Sequence, residues 1–370
     1  MKIAIIYNDP IQYAKGKTYD KESVDIDNVP EPIDMSEYGV LDEMKAVQRA
    51  LRNNGHEPEI IPVALDIYKL VDTLRQKRPD LIFNLCESLD GDPDQEMNIA
   101  SLFEILKIPY TGSRAFTLGL ALNKAKVKEI LHYHNIPTAS HYLCRSKKDI
   151  QEEIFDKIED KTKVRFPLIV KPSREDASIG INNDSIVYNE IQLHDRVEYV
   201  TREYKQAALV EEYIDGREIN VSVVGNVTND INELIVFPLS EIDFTGLPKE
   251  YPKIVSYNSK WMYKTVEFAN TKAVCPAKNI PLELEDKIKQ IARRVFYVMG
   301  ASDYARVDFR LKGNTPYVLE LNPNPDIASD VNEDTGFTRS GKAYGWSYDE
   351  LIQRIVNFAA ERWENIANSK

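Results

Sequence analysis

Apolar and polar residues alternate most regularly in ASDYARVDFRLKGNTPYVLELNPNPD, from Ala301 to Asp326. Val307, Phe309 and Leu311 interleave with Arg306, Asp308 and Arg310, and Tyr317, Leu319 and Leu321 interleave with Val318, Glu320 and Asn322. Period two predicts two strands, each with one polar face, joined through Gly313 and Asn314. Opposed residues of an antiparallel pair share a face, so an odd-numbered loop sets Asp308 against Glu320 and Arg306 against Asn322. Two facing carboxylates repel unless something compensates. A hard divalent cation such as Mg2+ suits two carboxylates and an amide oxygen, with Arg306 flanking it. The competing reading is an ordinary hairpin with a solvated charged face.

Elsewhere the pattern predicts a strand at KIAIIYN, then a helix in which Leu41, Met44, Val47 and Leu51 recur until Gly55. EPEIIPV, a helix over DIYKLVDTLRQKRPD, DLIFNLC and a helix over EMNIASLFEILKI follow. This is a doubly wound α/β beginning, in which ligands sit past the carboxyl ends of the strands. The loop CESLDGDPD, Cys86 to Asp94, falls there. Between the first strand and first helix, Asp9 to Ser36 is polar and aperiodic, as expected of a long loop.

From about Ala115 the pattern becomes α+β. It predicts a basic helix NKAKVKEILHYHN, a strand SHYLC, a charged helix over KKDIQEEIFDKIED and a strand FPLIVKP. Antiparallel strands follow in ALVEEYIDGREINVSVVGN and ELIVFPLSEI, then a helix over EDKIKQIARRVFYVMG ending at Gly300, and, beyond the hairpin, a closing amphipathic helix over residues 347–366. No internal repeat is found.

Composition narrows the classes. The 370 residues are 43% apolar and 29% charged, enough for two or three domains, and the net charge of -12 argues against a grip on nucleic acid or an anionic membrane. Three isolated cysteines, Cys86, Cys144 and Cys275, suggest neither a disulfide framework nor zinc, which fits a reducing cytoplasm. The opening apolar run is too short for a signal peptide, and no run spans a membrane.

Several polar residues are candidates for chemistry. Lys171 ends a strand beside SREDASIG, with Ser178 and Gly180; a lysine and loop N–H groups suit a phosphate, although Lys-Pro before a serine loop is also a plain turn. Lys124 opens the basic helix, where a solvated helix end is the plain reading. Glu211, Glu212 and Glu218 lie on LVEEYIDGRE and can accept hydrogen bonds from an adenine amino group or ribose, or form an acidic strand edge. Gly336 to Ala343 has P-loop spacing, but Ala343 replaces the required Ser or Thr and no strand precedes it, so that reading is rejected. His132 and His134, two apart on a helix, face different ways.

Taken in order, FNLCESLDGDPDQ, IPYTGS with LALNKAKVK, PLIVKPSREDASIGI, LVEEYIDGREINVSV, YNSKW, CPA, YARVDFRL, YVLELNPNPD and GKAYGWSYDELI resemble the ATP-grasp superfamily, within it the D-alanine:D-alanine ligase branch. The resemblance implies an ATP-grasp fold with an N-terminal Rossmann-like (pre-ATP-grasp) domain over residues 1–114, a central subdomain over 115–208 and a C-terminal subdomain with the metal site over 209–370. It implies ATP and two Mg2+ ions, or Mn2+, as cofactors, amino-acid or peptide substrates, no nucleic acid or membrane partner, and a tendency to homodimers. Carried residue by residue, Lys124 and Lys171 hold the nucleotide phosphates, and the loop Ser173 to Gly180, with Ser178, closes over them. Glu211 and the backbone at Ile214 hold adenine, Glu218 the ribose, and Lys260 the terminal phosphate. Asp308, Glu320 and Asn322 hold the metal ions, and Arg306 steadies the reacting carboxylate.

The implied reaction has two steps: a carboxylate takes the γ-phosphoryl group as an acyl phosphate, and an amine then displaces phosphate. The departures cluster at substrate positions. The family's Gly-rich amino-terminal turn with its Ser-Glu is absent, Glu37 being a candidate replacement, and its loop histidine is Cys86-Glu87. Ala177 stands for the first lock serine, Trp261 for the overhanging-loop tyrosine, and Pro323 to Ile327 with the acidic run DVNEDT for the small-residue turn after Asn322. The expectation is therefore an ATP-dependent ligase with substrates other than D-alanine. A D-alanine:D-alanine ligase proper and a regulatory protein that binds nucleotide without catalysis are the alternatives. The acidic run suits a cationic substrate or a solvated loop.

Overall fold

The computed structural model describes residues 1–10, 39–63, 66–155, 165–227, 230–329 and 335–368. Apart from Asp9, Pro10 and Thr335, the expected loop from Asp9 to Ser36, the candidate Glu37 and the DVNEDT run lie outside the described residues.

Three sheets organise the chain. In the first, β1 (Lys2–Asn8) lies between β2 (Glu57–Val63) and β3 (Leu81–Leu85), all parallel. An apolar strand in a parallel sheet buries both faces. Ile3, Ile5 and Tyr7 accordingly pack with Val47 and Leu51 of α1 (Gly39–Asn53), whereas Ala4 and Ile6 pack with Leu70 and Leu74 of α2 (Ile67–Lys77) and Phe103 of α3 (Glu96–Leu106).

The chain then passes through α4 (Ala115–Leu122) and α5 (Lys124–Tyr133) into an antiparallel sheet. Its order is β4 (His141–Cys144), β7 (Ala208–Glu212), β5 (Leu168–Pro172), β6 (Ile186–Val187), with α6 (Glu190–Glu203) packed on it. The strand β7 runs across the expected division at 208/209 and pairs wholly within this second sheet. At Asp215 and Gly216 the chain crosses to the third sheet. A Cβ on Gly216 would stand 2.4 Å from the Leu311 carbonyl oxygen, so this crossover needs glycine.

The third sheet contains β8 (Arg217–Gly225), β9 (Ile235–Val236), β10 (Ser240–Asp243), β11 (Lys272–Val274), β12 (Asp303–Lys312) and β13 (Thr315–Asn322). Between β10 and β11 lie the short helices α7 (Tyr257–Trp261) and α8 (Val266–Asn270), and before β12 lies α9 (Leu282–Val298). One face of β8 and β12, carrying Ile219, Val221, Val307 and Phe309, packs on Ile288, Ala292 and Val295 of α9. The opposite face is polar and forms the site.

Several expectations need correction. ELIVFPLSEI is not one strand: β9 and β10 both pair with β8, and Phe237 to Leu239 break the run around Pro238, which lacks a donor for the ladder. KKDIQEEIFDKIED begins as a helical turn, Lys147–Asp149, and continues as a π-helix over Ile150–Phe155; its remainder lies outside the described residues. Five α-helices were not foreseen: α4, α6, the short α7 and α8, and α10 (Gly336–Tyr344). AFTLGLAL in α4 is apolar all round and offers no polar phase to read. The P-loop-like spacing lies in α10, which buries Phe337, Thr338 and Ser340 and ends at Gly345 with φ 108°, so its rejection stands. The final helix, α11 (Tyr348–Asn368), begins one residue after the expected start and buries Leu351, Ile352, Ile355 and Val356.

Candidate active site

The hairpin opposes Asp308 to Glu320 and Arg306 to Asn322, but by a different route from an odd loop. Gly313 and Asn314 make a two-residue turn, with Gly313 at φ 59°, and the register then shifts so that Phe309 faces Val318 while Asp308 faces Glu320. Leu319 is the extra residue of this bulge. It reverses part of the expected alternation. Val318, assigned to the polar face, sits in the α9 core, whereas Leu319 borders the cavity.

Register on the other side of β12 completes the polar face. Asp308 is opposite Asn220 and Arg310 is opposite Glu218 on β8. Asn220 Nδ2 donates to Asp308 Oδ1 at 2.7 Å, and Arg310 pairs with Glu218 at 3.0 Å. Arg306 clasps Asp308 with two bonds of 2.8 Å. The competing reading of a solvated face is thus overturned: Glu218, Asn220, Asp308 and Arg310 are buried in one network.

The lysines converge on the same space. Asn123 caps α5, its side chain accepting from the Lys126 N–H at 3.3 Å, and Lys124 donates its backbone N–H to Ser173 O at 3.1 Å. Its ammonium then lies 3.0 Å from both Asp176 and Glu320. Lys171 on β5 pairs with Glu211 at 2.8 Å, and Lys128, four residues after Lys124 and 0% exposed, pairs with the other Glu211 oxygen at 2.6 Å. Lys128 Nζ also donates to Thr138 Oγ1 at 2.9 Å. The solvated helix end and the acidic strand edge are therefore both overturned: Lys124, Lys171 and Glu211 are buried.

Electrostatics follow from this packing. Burial lowers the Lys124 ammonium, but Asp176 and Glu320 outweigh it and hold it above the usual lysine value. Burial, with Lys124 nearby, pushes Lys171 down to about 8 against the pull of Glu320. Burial also lowers Lys260, helped by Arg306, and raises Glu218 despite Arg310. For Glu320, burial would raise the carboxyl, yet Lys124 and Lys171 hold it well below the usual range.

Three loops roof a cavity of about 530 Å³. Arg174 pairs with Asp94 of the Cys86 to Asp94 loop, and the Trp261 indole donates to Ala177 O at 3.0 Å. Ala177 and Ser178 both take left-handed backbone, φ 53° and 62°, an arrangement costing about 1–3 kcal/mol per residue and found where function holds it. Gly180 follows at φ 75°, where a Cβ would stand 2.5 Å from Pro172 Cγ. Ser178, Ile214, Lys260 and Asn322 border the cavity with Lys171, Glu211, Glu218, Arg306, Asp308 and Glu320, whereas Lys124 stands behind its wall, paired with the lining residues Asp176 and Glu320.

The donor set fits a hard divalent ion. Asp308, Glu320 and Asn322 supply oxygen only, and their charges are here balanced by Arg306 and Lys124. Among the described residues no three His, Cys, Asp or Glu side chains form a cage. Two carboxylates and an amide would leave positions for phosphate and water, as Mg2+ prefers.

The family model described as the D-ala D-ala ligase C-terminus matches residues 130–357, from α5 into α11 and including the hairpin. The chain is 30% identical over 319 residues to a D-alanine–D-alanine ligase of Pelotomaculum thermopropionicum, covering 86% of this chain and 91% of that one. The chain belongs to the D-alanine–D-alanine ligase family. It is also 29% identical to the uncharacterized protein y4sG of Sinorhizobium fredii over 329 residues, 86% of this chain and 87% of that one. In fold it matches the Bacillus anthracis D-alanine–D-alanine ligase complexed with ATP, with a TM-score of 0.69, 23% identity and coverage of 99% and 98%. The chain thus has the ATP-grasp fold of this ligase family. No helix among the described residues is long and apolar enough to cross a membrane.

Sequence reasoning missed Lys128, Asn220, Arg310 and Asp176. Lys128 was findable, since i and i+4 share a helix face with Lys124. Asn220 and Glu218 alternate with Ile219 and Val221 in the same way as the hairpin residues. Arg310 had been read only as a member of the polar face, and Asp176 only as part of a loop.

Proposed function

We propose that this chain is an ATP-dependent carboxylate–amine ligase that joins amino acids or peptides other than two D-alanines, through an acyl phosphate. The observation that carries the reading is the meeting of Lys171, Lys260 and Arg306 with Asp308, Glu320 and Asn322 around one roofed cavity, with Lys124 paired to Glu320 at its wall. An ATP triphosphate needs this density of positive charge, and phosphoryl transfer needs positioning more than covalent help.

In this reading Lys124 and Lys171 exchange their carboxylate partners for phosphate oxygens, while the loop Ser173 to Gly180, with Ser178, covers them. Glu211 and the Ile214 backbone take adenine, Glu218 the ribose and Lys260 the terminal phosphate. Asp308, Glu320 and Asn322 would hold Mg2+ or Mn2+, which supplies charge neutralisation for phosphate oxygens. Arg306 leaves Asp308 to steady the substrate carboxylate as it takes the phosphoryl group. The incoming amine forms the C–N bond as the acyl C–O bond to phosphate breaks, and the roof keeps water from the acyl phosphate. A three-unit division with its second boundary moved past β7 to Asp215 and Gly216, a homodimer and a cytoplasmic setting belong to the same proposal and rest on family likeness.

The names of relatives favour D-alanine as a second reading. Against it, Glu43, Glu87, Glu96 and Asp326 line the cavity, more negative charge than a neutral side chain such as that of D-alanine calls for. ATP-dependent phosphate release, measured for amino acids and short peptides singly and in pairs beside Asp308→Ala, tests both. Release that needs a pair and vanishes in the variant supports the ligase; robust release from D-alanine sinks the claim of a different substrate.

A further inference from the structure

The turn after β13 brings Asn324, Asp326 and Ile327 to the end of the cavity nearest the first sheet, and carboxylates from two helices meet it there. Glu43 of α1 accepts the Ile327 N–H at 2.8 Å, and Glu96 of α3 accepts Asn324 Nδ2 at 3.1 Å. Asn324 Oδ1 accepts the Tyr304 hydroxyl at 2.8 Å, and Asp326 takes the Ala328 N–H at 2.7 Å. Glu87, from the loop after β3, lines the same end.

Capping the turn accounts for one hydrogen bond per carboxylate. It does not account for their charge. Glu43 is 4% exposed, yet among the described residues neither it nor Glu96 nor Asp326 makes an ion pair with a lysine or arginine. An amide or hydroxyl would cap the turn without burying charge, and buried carboxylates are otherwise paired. The groups facing them deepen the imbalance. Glu43 faces Asp326 and Glu87, and Glu96 faces Glu87 and Asp176; burial and these neighbours push both carboxyls well up. Asp326 faces Asp42 as well as the cations Arg306 and Lys260, and burial raises it too. Arg306 is committed to Asp308, and Arg339 borders the cavity with contacts of its own.

Resting on the ligase reading, we infer that one of the two substrates carries a positive group beyond the α-ammonium and carboxylate of an ordinary amino acid, as in a basic amino acid, or beyond the reacting amine, as in a diamine. Glu43 and Asp326 receive that group, with Glu96 beside them. The ligand supplies the counter-charge that the described residues do not, and a neutral side chain leaves these carboxylates buried without it. This is discrimination by desolvation, the strongest kind available to a small site.

Lysine and norleucine share a carbon skeleton and differ in the terminal ammonium, so their binding isolates the inference. Both enantiomers of each, with putrescine and butylamine, are titrated calorimetrically into the full chain with Mg2+ and a non-hydrolysable ATP analogue. At least tenfold tighter binding of one lysine enantiomer, or of putrescine, over its neutral analogue is expected. The advantage should fall to within about twofold in Glu43→Gln and Asp326→Asn, with melting curves reporting whether each is folded. Equal binding of charged and neutral compounds to the wild type, no binding by any dibasic compound, or an advantage that survives both substitutions overturns the inference. Turnover of neutral pairs alone also overturns it while leaving the ligase standing. The ligase reading fails separately, if no pair releases phosphate although lysine or putrescine still binds selectively.

Discussion

Lys128 and Glu211 form a charge pair at 2.6 Å that is closed to water, and the second oxygen of Glu211 is held by Lys171 at 2.8 Å. One carboxylate thus spans a structural lysine and a lysine proposed to bind phosphate. Breaking a buried pair by removing one partner costs about 3–5 kcal/mol, and the low end applies here because Lys171 still shares the carboxylate. Lys128→Met should lower the melting temperature by several degrees and raise the KM for ATP about tenfold, as Glu211 draws Lys171 away from phosphate. Calorimetric melting and initial rates check this; unchanged values for both would show that Lys128 only fills space.

Lys171, pushed down to about 8 from 10.5, sets a pH dependence whose sign can be worked out. Between these values the folded protein binds fewer protons at this group than the unfolded chain, so its contribution to stability rises with pH across that window. Below pH about 8 the lysine is charged in both states and its effect is constant. Phosphate binding needs the charged form, so ATP affinity should fall over the window in which stability gains. In wild type the KM for ATP should climb above pH about 8, and in Lys171→Arg the climb should move up by more than one pH unit. A KM profile that is flat in both proteins would contradict this assignment.

Neutralising the facing carboxylates separates metal binding from folding. Asp308→Asn and Glu320→Gln should each reduce phosphate release at least a hundredfold and raise the Mg2+ concentration needed for half-maximal rate. Asp308→Asn should also lower the melting temperature without nucleotide, because Arg306 loses a clasp made of two hydrogen bonds. A Mg2+ titration and a melt on each variant give both readings. Unchanged Mg2+ dependence would remove these residues from the metal site.

Gly180 tests the roof. At φ 75°, with a Cβ 2.5 Å from Pro172 Cγ and 3.0 Å from the Tyr204 ring, Gly180→Ala must displace the loop. Turnover should fall about tenfold, and the ratio of phosphate released to amide formed should rise as water reaches the acyl phosphate. A ratio that stays at one would mean that the loop does not exclude water.

Much of this was legible because polar residues recur at the period of their element. Asp308 and Glu320 stand out in β12 and β13, and the site residues implied by the family resemblance line the cavity, except Lys124, which meets it through Glu320. What could not be read came from contacts between elements distant in sequence. Lys128 meets Glu211 only after α5 packs on the second sheet, and Glu43 meets Ile327 across 284 positions. Helix α4 was hidden because its exposed side is apolar as well, Phe116 being 76% exposed, so no amphipathic phase marks it. The Leu319 bulge was hidden because period two cannot signal its own interruption.

That bulge has a consequence for how this protein can change. Leu319 is one residue of surplus length, and it sets whether the last part of β13 turns its carboxylate toward the cavity or toward α9. Regular pairing through this stretch with every residue kept would set Leu319 against Asp308 and Glu320 against Val307, half a turn from where it stands. Glu320 would then enter the apolar layer occupied by Val318 and Leu321. Because Val318 and Glu320 would alternate regularly without Leu319, a descendant chain that lost this one codon would keep Glu320 opposite Asp308, and the carboxylate depends on the bulge only while the surplus residue is there.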